Sequence, residues 1–166
     1  MEELLTIPVG GTHQWISVRG RDRDNPILLM IHGGPTSPEL PTSWAFQGGW
    51  EDYFTVEQWD QRGSGKTYNA NDPARIAPTL SRERITEDAV EVVQYLRRRY
   101  GKEKVFVLGH SWGSLVGLGL PTAIPSCCSP TWGWGRSSAA RRTSASAMRS
   151  RSPRRRPRTT RRPSRS

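Results

Sequence analysis

Only two cysteines occur in these 166 residues, and they are neighbours, Cys127 and Cys128. Adjacent cysteines make a poor structural disulfide, and no Cys/His spacing fits a metal site, so neither metal nor cofactor is expected. The N-terminus, MEELLTIPVGG, carries two acids and no long apolar run, so no secretory signal is expected there. Nowhere does the chain reach the ~20 apolar residues of a membrane span, and a soluble, cytoplasmic protein is the expectation. Two further absences matter more: no acidic residue follows Glu103, and no histidine follows His110.

These gaps divide the sequence. Residues 1–120 hold 13 Lys+Arg and all 15 Asp+Glu, a net charge of −2. Residues 121–166 hold the other 12 basic residues, all arginine, and no acid. The formal +10 of the chain therefore describes the tail alone. After Ile124 aliphatic residues nearly vanish. A segment so poor in apolar surface cannot offset its conformational entropy, and disorder is expected from about Ser129. The domain reading is thus 1–120 as a folded half and 121–166 as an Arg/Ser/Pro-rich tail.

Within the first part, Leu4–Val9 and Thr12–Arg19 read as a hairpin around Gly10-Gly11. In the second strand Gln14, Ile16 and Val18 face one way, and Trp15, Ser17 and Arg19 the other. Pro26–Ile31 is a continuous apolar run, as in a strand covered on both faces. Tyr53–Trp59 reads as the next strand, and residues 69–80 as loop. Ser81–Tyr100 is the strongest helix, with Ile85, Ala89, Val92, Val93, Leu96 and Tyr100 at helical spacing and Gly101 as its stop. Val105–Leu108 is another apolar strand, and Ser114–Leu120 opens a small-residue helix. Strands alternating with helices imply an α/β fold with a mostly parallel, twisted sheet.

Chemistry concentrates at two turns. Gly109-x-Ser111-x-Gly113 lies between a buried strand and a helix, the setting of a nucleophile elbow. There His110 flanks the serine, and small residues at 109 and 113 allow a sharp turn that exposes the hydroxyl. Upstream, His32-Gly33-Gly34-Pro35 follows a buried strand, where such a fold places its second oxyanion donor. The donors expected are the backbone N–H of Trp112 and one from Gly33 or Gly34. A glycine turn alone would be unremarked; its pairing with Ser111 favours the functional reading.

These motifs in order, IHGGP, WDQRGSGKT (Trp59–Thr67) and GHSWGS (Gly109–Ser114), resemble the proline iminopeptidase family of serine α/β-hydrolases. The resemblance covers nearly all of residues 1–120. It implies a cofactor-free serine peptidase that removes an N-terminal residue, commonly proline, from short peptides. It also implies that Asp60 and Arg62 of WDQRG brace loops and do not catalyse. A cap domain inserted later in the chain would read the substrate's amine with carboxylates. One departure is Thr36, where the family's HGGPG has its last glycine, and it puts the substrate fit in question. Other amidases and esterases share these motifs. Epoxide hydrolases and dehalogenases fit less well, since they carry Asp at the elbow where Ser111 stands.

A serine nucleophile needs a base and an orienting carboxylate, and in this fold both follow it in the chain. Here neither does: His13, His32 and His110 all precede Ser111, and each is expected to be structural. On this reading the fold is truncated after its nucleophile elbow. Shifting the codons of LPTAIPSCCSPTWGWGR by one nucleotide, with GC-rich third bases, yields ADRHPELLQPYVGVGQ. That string has a helix end and an apolar strand, and it resembles the family at this point. The tail is therefore read as a frameshift product, and the chain as inactive without its triad Asp and His. The alternative from another class is a non-enzymatic fragment whose basic tail binds nucleic acid phosphates non-specifically.

Overall fold

The computed structural model describes residues 1–123 and 132–134. Strands β1 (Glu2–Val9) and β2 (Thr12–Arg19) pair antiparallel, with Val9 opposite Thr12. Gly10 and Gly11 between them have φ of 54° and 73°. A two-residue hairpin loop needs positive φ at both positions, which glycine adopts without steric cost. Gln14, Ile16 and Val18 are buried while Trp15, Ser17 and Arg19 are half-buried, the alternation expected of β2.

Four more strands complete one sheet: β3 (Ile27–Ile31), β4 (Thr55–Asp60), β5 (Val105–His110) and β6 (Trp132–Trp134), in the order β1-β2-β4-β3-β5-β6. β2 meets β4 antiparallel, and the β4–β3, β3–β5 and β5–β6 pairs are parallel. β4 starts two residues later than its sequence suggests. The N–H groups of Tyr53 and Phe54 donate to the Trp50 carbonyl at 3.0 and 2.9 Å, which holds both in a turn.

The helices are α1 (Gly65–Asn69), α2 (Pro73–Ile76), α3 (Arg82–Tyr100) and α4 (Trp112–Ala123). Residues 69–80 are less irregular than expected, because Asp72 accepts the Ala74 N–H at 3.0 Å and Pro73 opens α2, followed by a 3₁₀ turn over Ala77–Thr79. Ser81 caps α3 by accepting the Arg84 N–H at 3.1 Å, and Gly101, with φ of 64°, ends it. The buried stripe of α3 contains every apolar position its spacing indicated. It forms one core with Ile16, Val18, Leu29, Ile31, Trp59 and Val107 of the sheet. Each such aliphatic side chain contributes about 1.5–3 kcal/mol on full burial.

β5 is the fifth of the six strands, between β3 and the next strand in sequence, and its C-terminal turn comes out beside the end of β3. α4 runs three residues past Leu120, and β6 lies inside the stretch expected to be disordered. Pairing in β6 sets Leu108 opposite Trp132, Gly109 opposite Gly133 and His110 opposite Trp134. A strand is joined through backbone N–H and C=O groups, so composition alone does not preclude it. The other expectations for the tail lie outside the described residues.

Candidate active site

Ser111 sits between β5 and α4 with φ of 50°, and no other non-glycine residue among those described has positive φ. Such a conformation is costly for a residue with a Cβ and persists where the surroundings impose it. The imposition is visible on both sides. A Cβ on Gly109 would lie 2.5 Å from the Gly113 carbonyl oxygen, and one on Gly113 would lie 2.0 Å from the Ile31 carbonyl oxygen. The elbow is therefore folded on itself and pressed against the end of β3, and Ser111 stays exposed. Ser114 stabilises the turn, its N–H donating to the Ser111 carbonyl (3.0 Å) and its hydroxyl to the Gly109 carbonyl (2.9 Å).

The other glycine turn comes to the same place. A Cβ built on Gly33 would lie 3.2 Å from the Ser111 Cβ and 3.2 Å from the His110 carbonyl oxygen. Gly34 has φ of 113°, and the loop closes with the Ser37 N–H donating to the Gly33 carbonyl at 3.3 Å. Of the residues singled out from sequence, Gly33 is thus set against Ser111, with Gly34 and Trp112 next to them in the chain. Pro35 and Thr36 border a cleft of about 90 Å³ together with Leu80, Ile85 and Trp112.

His32 is buried under this loop. The Gln61 N–H donates to its Nε2 at 3.2 Å, and Nδ1 lies 2.9 Å from the Gly33 carbonyl oxygen. A backbone N–H can only donate, so Nε2 is the bare nitrogen and Nδ1 carries the proton given to Gly33. The Ser64 hydroxyl lies 3.0 Å from the same Nε2 and 2.9 Å from the Gln61 carbonyl oxygen. Burial holds the His32 imidazole below its ordinary pKa, against the bond to Gly33, which favours the cation. His110 is exposed and its Nδ1 pairs with the Glu39 carboxylate. His13 is exposed at the start of β2.

The loop after β4 carries the third motif, and Asp60 and Arg62 each find separate partners. Asp60 accepts the Lys66 N–H at 2.7 Å, and burial pushes its carboxyl above the usual aspartate range. Arg62 is 2 % exposed and makes a bidentate pair with Asp88 of α3, at 2.8 and 3.1 Å. It also donates to the Gly10 carbonyl (2.8 Å) and Thr79 Oγ1 (3.1 Å). Asp88 further accepts from Gln14 (2.9 Å) and Arg84 (2.9 Å), so one carboxylate ties the hairpin, the loop and α3.

Asp88, Gln61 and Glu39 were not recognised from sequence. Asp88 left a signal, since it falls on the apolar stripe of α3, where a charge is unexpected. Gln61 left only its place within WDQRG, and Glu39 left none. Among the described residues no His/Cys/Asp/Glu group could hold a metal ion, and no helix is long and apolar enough to cross a membrane.

The α/β hydrolase fold family matches residues 26–123. The chain is 38% identical over 116 residues to a probable aminopeptidase of Bacillus subtilis (strain 168), covering 69% of this chain and 35% of that protein. It is 30% identical over 127 residues to a probable proline iminopeptidase of Leptolyngbya boryana, covering 74% and 35%. An epoxide hydrolase of Caenorhabditis elegans is 35% identical over 94 residues, covering 56% and 20%. Among solved structures, a proline iminopeptidase-related protein from Thermus thermophilus superposes with a TM-score of 0.62 at 24% identity, covering 80% of this chain and 45% of that one. An epoxide hydrolase from Vigna radiata gives 0.64 at 24% identity, covering 80% and 38%. At that identity the two structures speak for the fold alone. The chain spans about a third of the length of the Bacillus and Leptolyngbya relatives.

Proposed function

Because the chain belongs to the α/β hydrolase fold family, we propose that Ser111 is the nucleophile of a serine hydrolase of the proline iminopeptidase type. Its Oγ attacks the scissile carbonyl of an N-terminal residue, commonly proline, and gives its proton to a base. The amine of the shortened peptide leaves with a proton, and water then hydrolyses the acyl ester to release the free residue. The Trp112 N–H and one from Gly33 or Gly34 hold the oxyanion, each donor worth about 3–4 kcal/mol in the transition state. The observation that carries this reading is Ser111 at positive φ, wedged between Gly109 and Gly113 and facing Gly33. Small peptides are the substrates on this reading, and no cofactor takes part.

Relatives named epoxide hydrolases favour a second reading within the fold. The elbow argues against it, because a carboxylate nucleophile belongs there and this chain has a serine. Amidase or esterase activity is the nearer alternative, and Thr36 at the cleft bears on that choice.

As the sequence stands, no Asp, Glu or His follows Ser111 to act as orienter and base. We read residues 121–166 as translated out of frame, and the chain as catalytically poor until the frame is restored. Supporting this, residues 132–134 of β6 coincide with the codons that read Val-Gly-Val in the shifted frame. The rival is a non-enzymatic protein whose arginine tail binds nucleic acid in a salt-dependent way. Sequencing the gene around codon 120 separates them: a stop codon soon after the shift, with no downstream Asp and His, would leave the basic tail as genuine.

A further inference from the structure

We infer that Gln61 is the positioning residue of the oxyanion loop and that it acts through a neutral His32; this rests on Gly33 and Gly34 being the donors proposed above. The planar peptide joining His32 to Gly33 carries the His32 carbonyl at one end and the Gly33 N–H at the other. Gln61 Nε2 donates to that carbonyl at 2.8 Å. Fixing the carbonyl fixes the direction of the Gly33 N–H. The next peptide pairs the Gly33 carbonyl with the Gly34 N–H. That carbonyl accepts from His32 Nδ1 at 2.9 Å and from the Ser37 N–H at 3.3 Å. Each candidate donor is thus aimed by a bond made to the far end of its own peptide.

Gln61 also holds the ring that makes the second of these bonds, through its backbone N–H at 3.2 Å from Nε2. Gly113 presses on the His32 carbonyl from the elbow side, where a Cβ would lie 2.8 Å from the oxygen. The peptide is therefore gripped between the β4–α1 loop and the elbow. This arrangement needs His32 neutral. A proton on Nε2 would repel the Gln61 N–H and be donated instead to Ser64 Oγ, 3.0 Å away, drawing the ring off the Gln61 backbone and loosening the Gly33 carbonyl with it.

The charged groups nearby are already engaged. Asp60 accepts from the Lys66 backbone, Arg62 pairs with Asp88 of α3, and Glu39 pairs with His110 of β5. None of them is hydrogen-bonded to the His32 ring. Acid should therefore switch the loop through His32 itself.

The test uses the full 166-residue chain, Gln61→Met, which keeps length but removes the side-chain donor, and Ile27→Val as a packing control at the far end of β3. Ser111 labelling by a fluorophosphonate, followed by intact mass from about pH 5 to 8, should slow at least about tenfold in Gln61→Met and less than about twofold in the control. The wild-type rate should fall in acid with the midpoint of the His32 ring-proton NMR titration, below the ordinary 6.5. Labelling of Gln61→Met within about twofold of wild type, or an acid limb unrelated to that midpoint, would overturn the inference. Should wild-type Ser111 label too slowly to follow, as its missing base allows, the nucleophile reading is decided on the frame-restored protein and this inference by ¹⁵N-glycine spectra. There the Gly33 and Gly34 cross-peaks should shift or broaden in Gln61→Met while Gly101 stays, and unchanged peaks would overturn it.

Discussion

Replacing Glu57 with glutamine should raise the melting temperature at neutral pH and flatten its dependence on pH. Glu57 is 0 % exposed in the middle of β4, and neither carboxylate oxygen has a hydrogen-bond partner. Its strand neighbours are Val18 and Leu29, and it shares a sheet face with Trp59 against the apolar stripe of α3. The carboxylate that α3 itself buries in this stripe, Asp88, is committed to Arg62. Burial alone pushes the Glu57 carboxyl well above its ordinary value of 4.5, so the folded protein keeps a proton that the unfolded chain gives up. Stability from this group is complete below pH 4.5 and falls as pH rises, until the folded carboxyl ionises. One proton released on unfolding gives a slope of about 1.4 kcal/mol per pH unit. For a folded part of this size that is roughly 5 °C per pH unit. Glutamine removes the slope but keeps an unpaired buried amide, a cost of about 1–3 kcal/mol that Glu57→Leu would also remove. Thermal melts of wild type, Glu57→Gln and Glu57→Leu from about pH 5 to 8 read this directly. The difference between wild type and Glu57→Gln is the informative quantity, because His32 contributes the opposite trend below pH 6.5. Parallel melting curves for those two proteins across the range would mean that Glu57 is not buried with its proton.

Asp88→Ala should destabilise the protein by about 3–5 kcal/mol, because it strands the buried Arg62 guanidinium; a shift of the urea midpoint measures it, and a loss under about 1 kcal/mol would contradict the network. Gly113→Ala should abolish the native fold, since the new methyl meets the Ile31 backbone and not a movable side chain; a cooperative melt like wild type would count against the elbow geometry. Ser111 should react with fluorophosphonates far more slowly than the serine of a relative with a complete triad, given that losing the base alone costs about 10⁶ in turnover in a serine protease. Equal rates would show that another group activates it.

The hairpin, the three central strands and α3 were legible because each is written locally: paired glycines, apolar runs, and a helical stripe closed by Ser81 and Gly101. The elbow and the Gly33 loop were legible for the same reason, as small residues at fixed spacing mark turns that leave no room for a Cβ. What escaped depends on partners distant in sequence. Asp88 meets Arg62 across 26 residues and Gln14 across 74, and Gln61 meets His32 across 29. Gln61 stands inside the WDQRG motif, but the motif does not say that its partner is His32. Glu57 was hidden by its strand, where a glutamate between Val56 and Gln58 looks solvent-facing until β2, β3 and α3 close over it. β6 was missed because its residues lie in a segment whose composition argued for disorder, while its pairing with β5 is through the backbone.

On the function proposed above, Ser111 is a hydrolytic nucleophile whose base and orienting carboxylate are encoded in the other frame. This is tested most directly by restoring the frame at codon 120 and measuring release of p-nitroaniline from proline p-nitroanilide. Turnover is expected of the restored protein, and none above background of its Ser111→Ala variant. A folded, frame-restored protein without turnover, or one whose turnover survives Ser111→Ala, would contradict it.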